Sequence, residues 1–330
     1  MNTPTLRVLI IGCGNIAGGF DELRNDPAVS LTHAGAYSRH PGFRLVACVE
    51  PNRERRESFM ARWGVEKGED TLHHPSFTPG DFDVVSICSP THLHAEHLEA
   101  ALKLTPGLIF CEKPVTPDAA LTRHFVETCA QKGIRLAVNH TRRWDPAIVA
   151  FRDELLSGHW GKVRSISGTY NKGILNNGSH LIDLVHDLVG PVSVVATGTG
   201  YIDFWPDDPT IPALLDVAGL PFHLCTSHAK DYANFELTIT TSKSIVTMEN
   251  GGMSWRVRHV QESSDFPGYR SLGPSVAHAG GYSQAMAGAV RNIHAALTEN
   301  ASLSSTGETA LLAQITCEAI RNQTMVSAAS

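Results

Sequence analysis

The sequence lacks the features that would place it in a membrane or on nucleic acid. Its 330 residues contain no run of about 18 apolar residues, the length that a membrane-spanning helix requires. The N-terminus shows no signal-peptide cleavage pattern. Lys and Arg number 27 against 33 Asp and Glu, so the net charge of −6 repels phosphate backbones. We therefore expect a cytoplasmic protein whose partners include neither membrane nor nucleic acid.

A disulfide framework and sequence repeats are also missing. The seven cysteines are odd in number, scattered and mostly placed inside apolar runs, as reduced core thiols would be. The chain has no internal repeat and no low-complexity tract. Because 330 residues exceed what one hydrophobic core usually serves, we expect two domains.

The first 140 residues alternate short β-branched apolar runs with longer amphipathic stretches. This pattern is typical of βαβ units that build a parallel sheet, and it predicts an N-terminal α/β domain over residues 1–140. The predicted strands are Arg7–Ile11, Arg44–Val49, Asp83–Cys88, Gly107–Cys111 and Arg135–Asn139. The predicted helices are Asn52–Trp63, Thr91–Leu104 and Pro117–Lys132, the last with Thr116 as its N-cap.

The pattern changes in residues 141–330, which predict a second α/β domain with a mostly antiparallel sheet. The predicted helices are Asp145–Ser157, Asn176–Leu188, Tyr282–Glu299 and Glu308–Gln323. The predicted strands are Val163–Tyr170, Phe222–Ser227, Phe235–Thr240, Ser244–Glu249 and Ser254–His259. No Gly/Ser linker separates the two domains, so we expect them to be closely apposed with a functional cleft.

A glycine-rich loop follows the first predicted strand. Gly12-Cys13-Gly14-Asn15-Ile16-Ala17 has the G-x-G-x-x-A pattern of a dinucleotide-binding turn, placed where a strand should lead into a helix. Gly12 would permit the tight turn and Gly14 would let the backbone approach a pyrophosphate, which the helix N-terminus favours. We therefore predict that Gly12, Gly14, Asn15 and Ile16 bind a dinucleotide on a Rossmann domain.

Glu50 ends the second predicted strand, where a carboxylate accepts hydrogen bonds from the adenosine ribose and repels a 2′-phosphate. This position favours NAD, while Arg53 and Arg55 keep NADP possible. The spacing from the glycines is longer than the usual ~20 residues. A predicted insertion over Asp21–Ser30, a polar segment, explains the difference.

Polar residues also follow the next two predicted strands. Ser89-Pro90-Thr91-His92-Leu93-His94 comes after one strand and Glu112-Lys113-Pro114 after the other. Ligands bind at the carboxyl ends of the strands in an open parallel sheet, so both segments are predicted to border the ligand.

With these motifs in order, the sequence resembles the glucose-fructose oxidoreductase and inositol dehydrogenase family, Gfo/Idh/MocA. The resemblance covers nearly the whole chain. It is carried by the glycine loop, Pro90-Thr91-His92-Leu93-His94, Glu112-Lys113-Pro114, Arg142-Arg143-Trp144-Asp145-Pro146 and Gly178-Ser179-His180-Leu181-Ile182-Asp183. It implies a Rossmann domain followed by an α/β domain with an open, mostly antiparallel sheet that often supports oligomers. It also implies a sugar, inositol or nucleotide-sugar substrate and a homo-oligomer, a dimer or tetramer.

The resemblance also implies roles for individual residues. Lys113 would contact the nicotinamide ribose and the reacting hydroxyl, and an ammonium there can stabilise a developing alkoxide. The coenzyme would also be bordered by Ser89, Pro90, His94 and Glu112. His180 matches a histidine that faces the nicotinamide, and imidazole, with an ordinary pKa near 6.5, suits a general base. Asp183, three residues on, either orients that ring or holds its helix against the sheet.

One residue departs from the family pattern. Many dehydrogenases of the family carry Asp two residues before the motif glycine, and this chain has Asn176 there. Asn176 can position a hydroxyl or an N-acetyl group but cannot accept a proton. Either His180 works with Lys113 alone or redox turnover is reduced. Similar Asn-containing versions are common among family members linked to nucleotide-sugar and surface-polysaccharide synthesis, so the resemblance favours a nucleotide-sugar substrate.

Further substrate contacts are predicted near the start of the second domain. Arg143 could bind a phosphate or carboxylate and Trp144 could stack on a sugar, although both residues also suit a packing cluster between domains. Tyr170 precedes the His180 helix and is a further candidate for substrate binding. We expect no metal site, because His73, His74, His92, His94 and His97 have no carboxylate placed beside them by spacing and hydride transfer needs no metal.

Three functions follow from these observations. The first is an NAD(P)-dependent oxidoreductase that transfers a hydride between nicotinamide and a sugar or nucleotide sugar. The second keeps the same coenzyme but uses transient oxidation for hydrolysis, elimination or epimerisation. The third is a non-catalytic dinucleotide-binding sensor or scaffold, against which the presence of both Lys113 and His180 argues.

Overall fold

The structure is a computed structural model that describes residues 5–22, 26 and 29–325. The chain divides into two compact units. The first holds the residues up to Asp145 together with Ser283–Leu311, and the second holds Pro146–Tyr282 and the residues from Leu312 onward. Within the described ranges, no helix combines the length and the apolar character needed to span a membrane.

The first unit is built on a six-stranded parallel sheet with the order β3-β2-β1-β4-β5-β6. Its strands are β1 (Leu6–Ile11), β2 (Phe43–Val49), β3 (Lys67–Glu69), β4 (Val84–Ile87), β5 (Leu108–Cys111) and β6 (Arg135–Val138). Its helices are α1 (His33–Ser38), α2 (Arg53–Trp63), α3 (His94–Lys103) and α4 (Ala119–Gln131). The predicted parallel sheet is confirmed. It contains one strand more than predicted, β3, because the Lys-Gly-Glu sequence of that strand carries no apolar signal.

The start of α4 differs from the prediction. Its N-cap is Asp118, whose side chain accepts a hydrogen bond from Leu121 N at 3.0 Å. The Thr116 hydroxyl instead donates to Asp118 O at 2.7 Å and lies 2.8 Å from the Thr122 hydroxyl. A carboxylate two residues later therefore takes the capping role predicted for Thr116.

The second unit contains a nine-stranded, mostly antiparallel sheet, as predicted. Its order is β16-β15-β14-β13-β7-β12-β11-β8, with β17 paired to β15, and β7 with β12 is its parallel pair. The main sheet strands are β7 (Val163–Tyr170), β8 (Val192–Thr197), β11 (Ala213–Val217), β12 (Leu220–Thr226), β13 (Phe235–Thr241), β14 (Ser244–Glu249), β15 (Ser254–Glu262), β16 (Arg270–Leu272) and β17 (Val276–Ala279). A separate hairpin joins β9 (Tyr201–Trp205) to β10 (Asp208–Thr210).

One face of this sheet packs on helices and the other is open. The helices are α5 (Pro146–Leu156), α6 (Ser179–Leu188) and the part of α8 (Gly307–Asn322) that belongs to the second unit. Phe151, Leu181 and Ile320 from these helices share one core with the inward residues of the strands. Along β13, buried residues alternate with half-buried ones, as expected for a sheet covered on one side.

The C-terminal region does not all stay with the second unit. Helix α7 (Ala285–Thr298) places Met286, Val290 and Ile293 in a core cluster with Phe43 of β2. Its apolar side is therefore buried in the first unit, whereas the sequence prediction gave residues 141–330 to one continuous domain. All seven cysteines are free, and six are buried, which confirms that they are mostly core thiols.

Candidate active site

The loop after β1 turns sharply at Gly12. Its φ of +83° lies in the left-handed region that favours glycine, and a Cβ there would lie 2.9 Å from backbone atoms of Ser89. At Gly14, by contrast, a Cβ would meet nothing within 4 Å. The backbone at Gly14 is therefore open to close approach by a ligand, as the sequence prediction requires.

The helix that should follow this loop is interrupted and then resumed. A short 3₁₀ turn at Gly19–Asp21 replaces it, and α1 begins only at His33. Nevertheless, His33 N donates to Ile16 O at 3.2 Å and Ala34 N donates to Ala17 O at 2.8 Å. Since a continuous helix offers these carbonyls to its next turn, α1 continues the helix that the glycine loop begins.

The buried carboxylate of Asp21 links the two ends of this interruption by hydrogen bonds. Asp21 Oδ2 accepts hydrogen bonds from Leu31 N at 3.0 Å, Thr32 N at 3.0 Å and the Thr32 hydroxyl at 2.7 Å. The interruption coincides with the insertion predicted over Asp21–Ser30, of which residues 23–25 and 27–28 lie outside the described residues. The glycine loop is therefore followed by one short turn, and the helix resumes at α1 after the interruption.

Glu50 lies at the end of β2 with its carboxylate facing the glycine loop. Its Oε2 accepts a hydrogen bond from Cys13 N at 3.1 Å, and its Oε1 accepts one from Asn52 N at 3.0 Å. Arg55 Nη1 lies 3.5 Å from Oε1. A carboxylate has about four lone-pair positions, so Glu50 keeps acceptor capacity for ligand hydroxyls.

A cavity of about 420 Å³ opens at the same edge of the sheet. Its lining includes Gly12, Glu50, Arg55, His73, Ser89, Pro90 and His97. The Ser89 hydroxyl lies 2.7 Å from His97 Nδ1, and burial lowers the pKa of the His97 imidazole. The volume is within the range of small-molecule sites, so this edge can hold part of a dinucleotide.

His94 has a structural environment. Its ring is fully buried, with Nδ1 2.9 Å from Pro114 O and Nε2 2.8 Å from Ser89 O. The ring therefore links the loop after β4 to the loop after β5. It supports both predicted coenzyme loops from below rather than lining the cavity.

Glu112 and Lys113 follow β5, and the Glu112 side chain is 14% exposed. Glu112 Oε1 accepts hydrogen bonds from His33 Nε2 at 3.0 Å and Asn139 Nδ2 at 2.6 Å. Burial alone would raise the pKa of this carboxyl, but the hydrogen bond and the electrostatic interaction with His33, the hydrogen bond from Asn139 and the nearby Lys113 charge outweigh burial and lower the pKa. The site therefore holds an ionised carboxylate beside Lys113, which is half-buried.

In the second unit, Asn176 lies in a π-helical turn, Ile174–Gly178, that leads directly into α6. The Asp208 carboxylate accepts hydrogen bonds from Leu175 N at 2.9 Å and Asn176 N at 2.7 Å. Asn176 and His180 are four residues apart, so they share one side of this continuous helical segment. Single π turns recur at functional sites because they redirect the side chains on them.

The loop before this turn is held by the β9–β10 hairpin. Lys172 has a φ of +66°, and its N donates to Asp203 Oδ2 at 3.1 Å. Its ammonium lies 5.1 Å from the centre of the Phe204 ring. Phe204 and Trp205 are 51% and 48% exposed. A cation and two aromatic faces thus adjoin the segment that carries Asn176.

Tyr170 is a core residue. Its side chain is fully buried, and its hydroxyl both donates to Ile211 O and accepts from Ile211 N, each at 2.9 Å. Burial raises its pKa well above the ordinary value. The predicted substrate contact does not fit this environment, because the hydroxyl is already used to hold the β10–β11 connection.

Arg143 and Trp144 are also buried, within the first unit. The Trp144 indole donates to Asn292 Oδ1 at 2.9 Å and packs edge-on against Phe110, with 5.8 Å between ring centroids. Arg143 Nη1 lies 3.3 Å from Ser304 O. These contacts match the packing alternative, here within one unit, better than the substrate-binding one.

Three polar residues that support these sites were not predicted from the sequence. His33 and Asn139 bind Glu112, and Asp208 caps the Asn176 turn. Asn139 alone carries a signal, since it ends a predicted strand at the ligand-binding edge. Across residues 5–22, 26 and 29–325, no group of three or more His, Cys, Asp or Glu side chains is arranged to hold a metal ion.

Comparison with known proteins finds a family model that matches the N-terminal part of the chain. Residues 6–140 match the Gfo/Idh/MocA family model, described as an oxidoreductase family with an NAD-binding Rossmann fold. The family resemblance is thereby confirmed for the motifs that lie within residues 6–140.

Individual proteins are similar over different lengths. Inositol 2-dehydrogenase from Rhizobium meliloti (strain 1021) is 31% identical over 192 residues, covering 53% of this chain and 57% of that protein. The chain thus spans about half the length of the curated relatives it matches.

Solved structures match the whole fold at low identity. KijD10, a 3-ketoreductase from Actinomadura kijaniata in complex with NADP, is 18% identical with a TM-score of 0.78, covering 99% of this chain and 100% of that one. An oxidoreductase from Agrobacterium radiobacter in complex with NAD+, L-tartaric acid and magnesium is 18% identical with a TM-score of 0.76, covering 96% of each chain.

Proposed function

We propose that this chain, whose N-terminal domain belongs to the Gfo/Idh/MocA oxidoreductase family, transfers a hydride between a nicotinamide coenzyme and the hydroxyl or keto carbon of a sugar or nucleotide sugar. The observation that carries the proposal is the set of polar groups at the strand ends of the first unit. Gly14 leaves room for a pyrophosphate, Glu50 has acceptor capacity for ribose hydroxyls, and Glu112 holds a charge beside Lys113. The bound coenzyme supplies the hydride acceptor or donor.

Catalytic roles are assigned to three residues. Lys113 donates hydrogen bonds from its ammonium to the reacting oxygen and stabilises negative charge there. His180 accepts the hydroxyl proton during oxidation and returns it during reduction. Asn176, on the same side of the helical segment as His180, orients the substrate through its amide.

The substrate class is proposed from the relatives and from the hairpin beside Asn176. Relatives are named for inositol and for levoglucosan, and a structural neighbour is named as a 3-ketoreductase crystallised with TDP-benzene. Lys172, Phe204 and Trp205 offer a cation and two exposed aromatic faces, which suit a diphosphate and a base. We therefore propose that the substrate is a nucleotide sugar rather than a free polyol.

Transient oxidation without net turnover of coenzyme is the second candidate, favoured by Asn176 because an amide cannot ionise. The test is a panel of inositols, aldoses and nucleotide-diphosphate sugars, each incubated with NAD+ or NADP+ while nicotinamide absorbance is followed. A dehydrogenase reduces coenzyme in proportion to substrate. Product formation without that change supports the second candidate.

Lys113→Ala and His180→Ala serve as variants in the same assay. General acid–base assistance is worth roughly 100- to 10,000-fold in rate, so each variant should lose activity within that range. Wild-type turnover in both variants would contradict the proposed roles. Coenzyme binding without reaction of any substrate would favour a sensor or scaffold.

We also propose that the protein forms a homo-oligomer, a dimer or tetramer, through the open face of the nine-stranded sheet. Thr238 and Thr247 lie on this face as a cross-strand pair at the centre of β13 and β14, and both are half-buried. Light scattering of Thr238→Arg beside the wild type tests this, since a bulky charge should weaken an interface centred there. An unchanged mass in solution would contradict the proposed interface.

A further inference from the structure

A chain of buried polar side chains runs beneath Glu112 in the first unit. The Tyr37 hydroxyl lies 3.1 Å from the Ser86 hydroxyl, and Ser86 Oγ lies 3.3 Å from His33 Nδ1. His33 Nε2 then lies 3.0 Å from Glu112 Oε1. Tyr37, Ser86 and His33 are all fully buried. The chain therefore connects the core of the sheet to a carboxylate at its ligand-binding edge.

The donors and acceptors of these hydrogen bonds can be assigned consistently from Tyr37 to Glu112. Tyr37 can donate to Ser86, and Ser86 can donate to the lone pair on His33 Nδ1, which leaves Nε2–H to donate to Glu112. The His33 ring thus contacts Ser86 through one nitrogen and Glu112 through the other. The His33 ring is also fixed by packing on Phe110, with 4.5 Å between centroids.

A second residue fixes the same carboxylate oxygen. Asn139 Nδ2 donates to Glu112 Oε1 at 2.6 Å, and the Asn139 amide is oriented because its Oδ1 accepts from the Thr141 hydroxyl at 2.9 Å. In the part of the chain that the structure describes, both hydrogen bonds to the Glu112 carboxylate fall on Oε1. Oε2 is therefore held in a defined orientation and keeps its acceptor capacity.

Burying an ion is costly unless the charge is used or compensated. A neutral amide at this position could make hydrogen bonds with a smaller desolvation cost. The surroundings of Glu112 nevertheless lower its pKa and so keep its carboxylate ionised. The group that follows it in the chain is the Lys113 ammonium. Together they place opposite charges at the edge where the coenzyme is proposed to bind.

We infer that the Glu112 carboxylate is an electrostatic element of the nicotinamide site that favours the oxidised, positively charged ring, and that His33 is a positioning residue acting through it. The inference rests on the proposed function. Removing the carboxylate would remove one negative charge from beside a cationic ring, so NAD+ would lose affinity relative to neutral NADH.

The interrupted helix supports the role of His33. Asp21 fixes Thr32, and the Thr32 hydroxyl accepts from Gly35 N at 3.1 Å as the N-cap of α1. The next residue, His33, is thereby returned to the turn that follows the glycine loop. These hydrogen bonds thus hold His33 at the position from which it contacts Glu112.

The test compares equilibrium dissociation constants for NAD+ and NADH in the full-length protein, with Glu112→Gln, His33→Leu and His33→Gln beside the wild type. Glu112→Gln should shift the ratio toward NADH by about tenfold, because one charge is removed. His33→Leu should shift it in the same direction by a smaller factor. His33→Gln, whose amide can still donate to Glu112, should restore the ratio. Glu57→Gln, which removes a carboxylate from the exposed surface of α2, is the matched control and should leave the ratio unchanged.

Several results would overturn the inference. An unchanged ratio of the NAD+ and NADH dissociation constants in Glu112→Gln would contradict the electrostatic role. Equal loss of affinity for both coenzymes in His33→Leu and His33→Gln would show that His33 acts only through packing. If Glu112→Gln does not fold, the two His33 variants decide by the same criterion. If the wild type binds both coenzymes but turns over no sugar, the proposed function fails and the inference on Glu112 can still be tested. The reason is that the ratio of the two dissociation constants is measured by binding alone.

Discussion

The two candidate sites, one in each unit, are built in different ways. In the first unit, four strand ends deliver Gly12, Glu50, Ser89 and Glu112 to one edge of a parallel sheet, and the buried His94 and His33 hold the Ser89 and Glu112 loops from below. In the second unit, Asn176 depends on one π turn that a single carboxylate of a hairpin holds in place. A site shared among strand ends should tolerate loss of a distant support, whereas the π turn should not.

The largest effect is expected at the glycine loop. Gly12→Val places a side chain against the Ser89 backbone at a φ of +83°, and left-handed strain alone costs about 1–2 kcal/mol. Dinucleotide affinity should fall roughly 10- to 100-fold. Calorimetric titration with NADH measures it, and Gly133→Val, at a φ of +68° with nothing within 4 Å of its Cβ, is the control for backbone strain alone. Unchanged affinity in Gly12→Val would contradict the loop assignment.

The next effect concerns the support of the π turn. Asp208→Ala leaves the N–H groups of Leu175 and Asn176 without their carboxylate, and such a loss costs roughly 1–3 kcal/mol in the free energy of unfolding. Turnover should fall while the affinity for NADH stays unchanged. Asp216→Ala, which loses a hydrogen bond in an exposed turn, is the matched control. Equal stability of both variants would show that the hairpin does not support the turn.

A smaller effect is expected in the choice between coenzymes. Glu50→Gln removes the charge that repels a 2′-phosphate while Arg55 remains beside it, so the preference for NAD over NADP should weaken by about tenfold. Dissociation constants for both coenzymes measure the change. Glu57→Gln on the exposed side of α2 should leave the preference unaltered. If Glu50→Gln prefers NAD over NADP as strongly as the wild type does, another group must determine the preference.

The smallest effect is a pH dependence of stability. Because burial lowers the pKa of His97 in the folded state, the unfolded chain takes up a proton first as the pH falls below the ordinary value near 6.5. Stability should therefore decrease from that pH down to the lowered pKa, and His97→Gln should flatten the decrease. Thermal unfolding over this range measures it, and identical slopes in both proteins would contradict the assignment.

Sequence reasoning predicts the first unit better than the second. Its strands are short apolar runs followed by ligand-binding residues, so Gly12, Glu50 and Glu112 could be placed at one edge from order alone. His33 was missed because the insertion separates it from the glycine loop, and only the hydrogen bonds to Ile16 and Ala17 reveal the continuity.

In the second unit, tertiary contacts determine the arrangement around Asn176. Asp208 reaches the π turn from a hairpin 32 residues later in the sequence, and no local pattern encodes this pairing. Tyr170 was proposed for the substrate because of its position, but the alternation of β7 turns it into the core. Helix α7 had the apolar spacing of a core helix, which does not indicate which of two cores it joins.

Calorimetric titration of the wild-type protein with NADH and NAD+ is the most direct test of the central claim that the first unit binds a nicotinamide dinucleotide. Saturable binding with one coenzyme per chain is predicted for both forms. The absence of binding for both forms would contradict it.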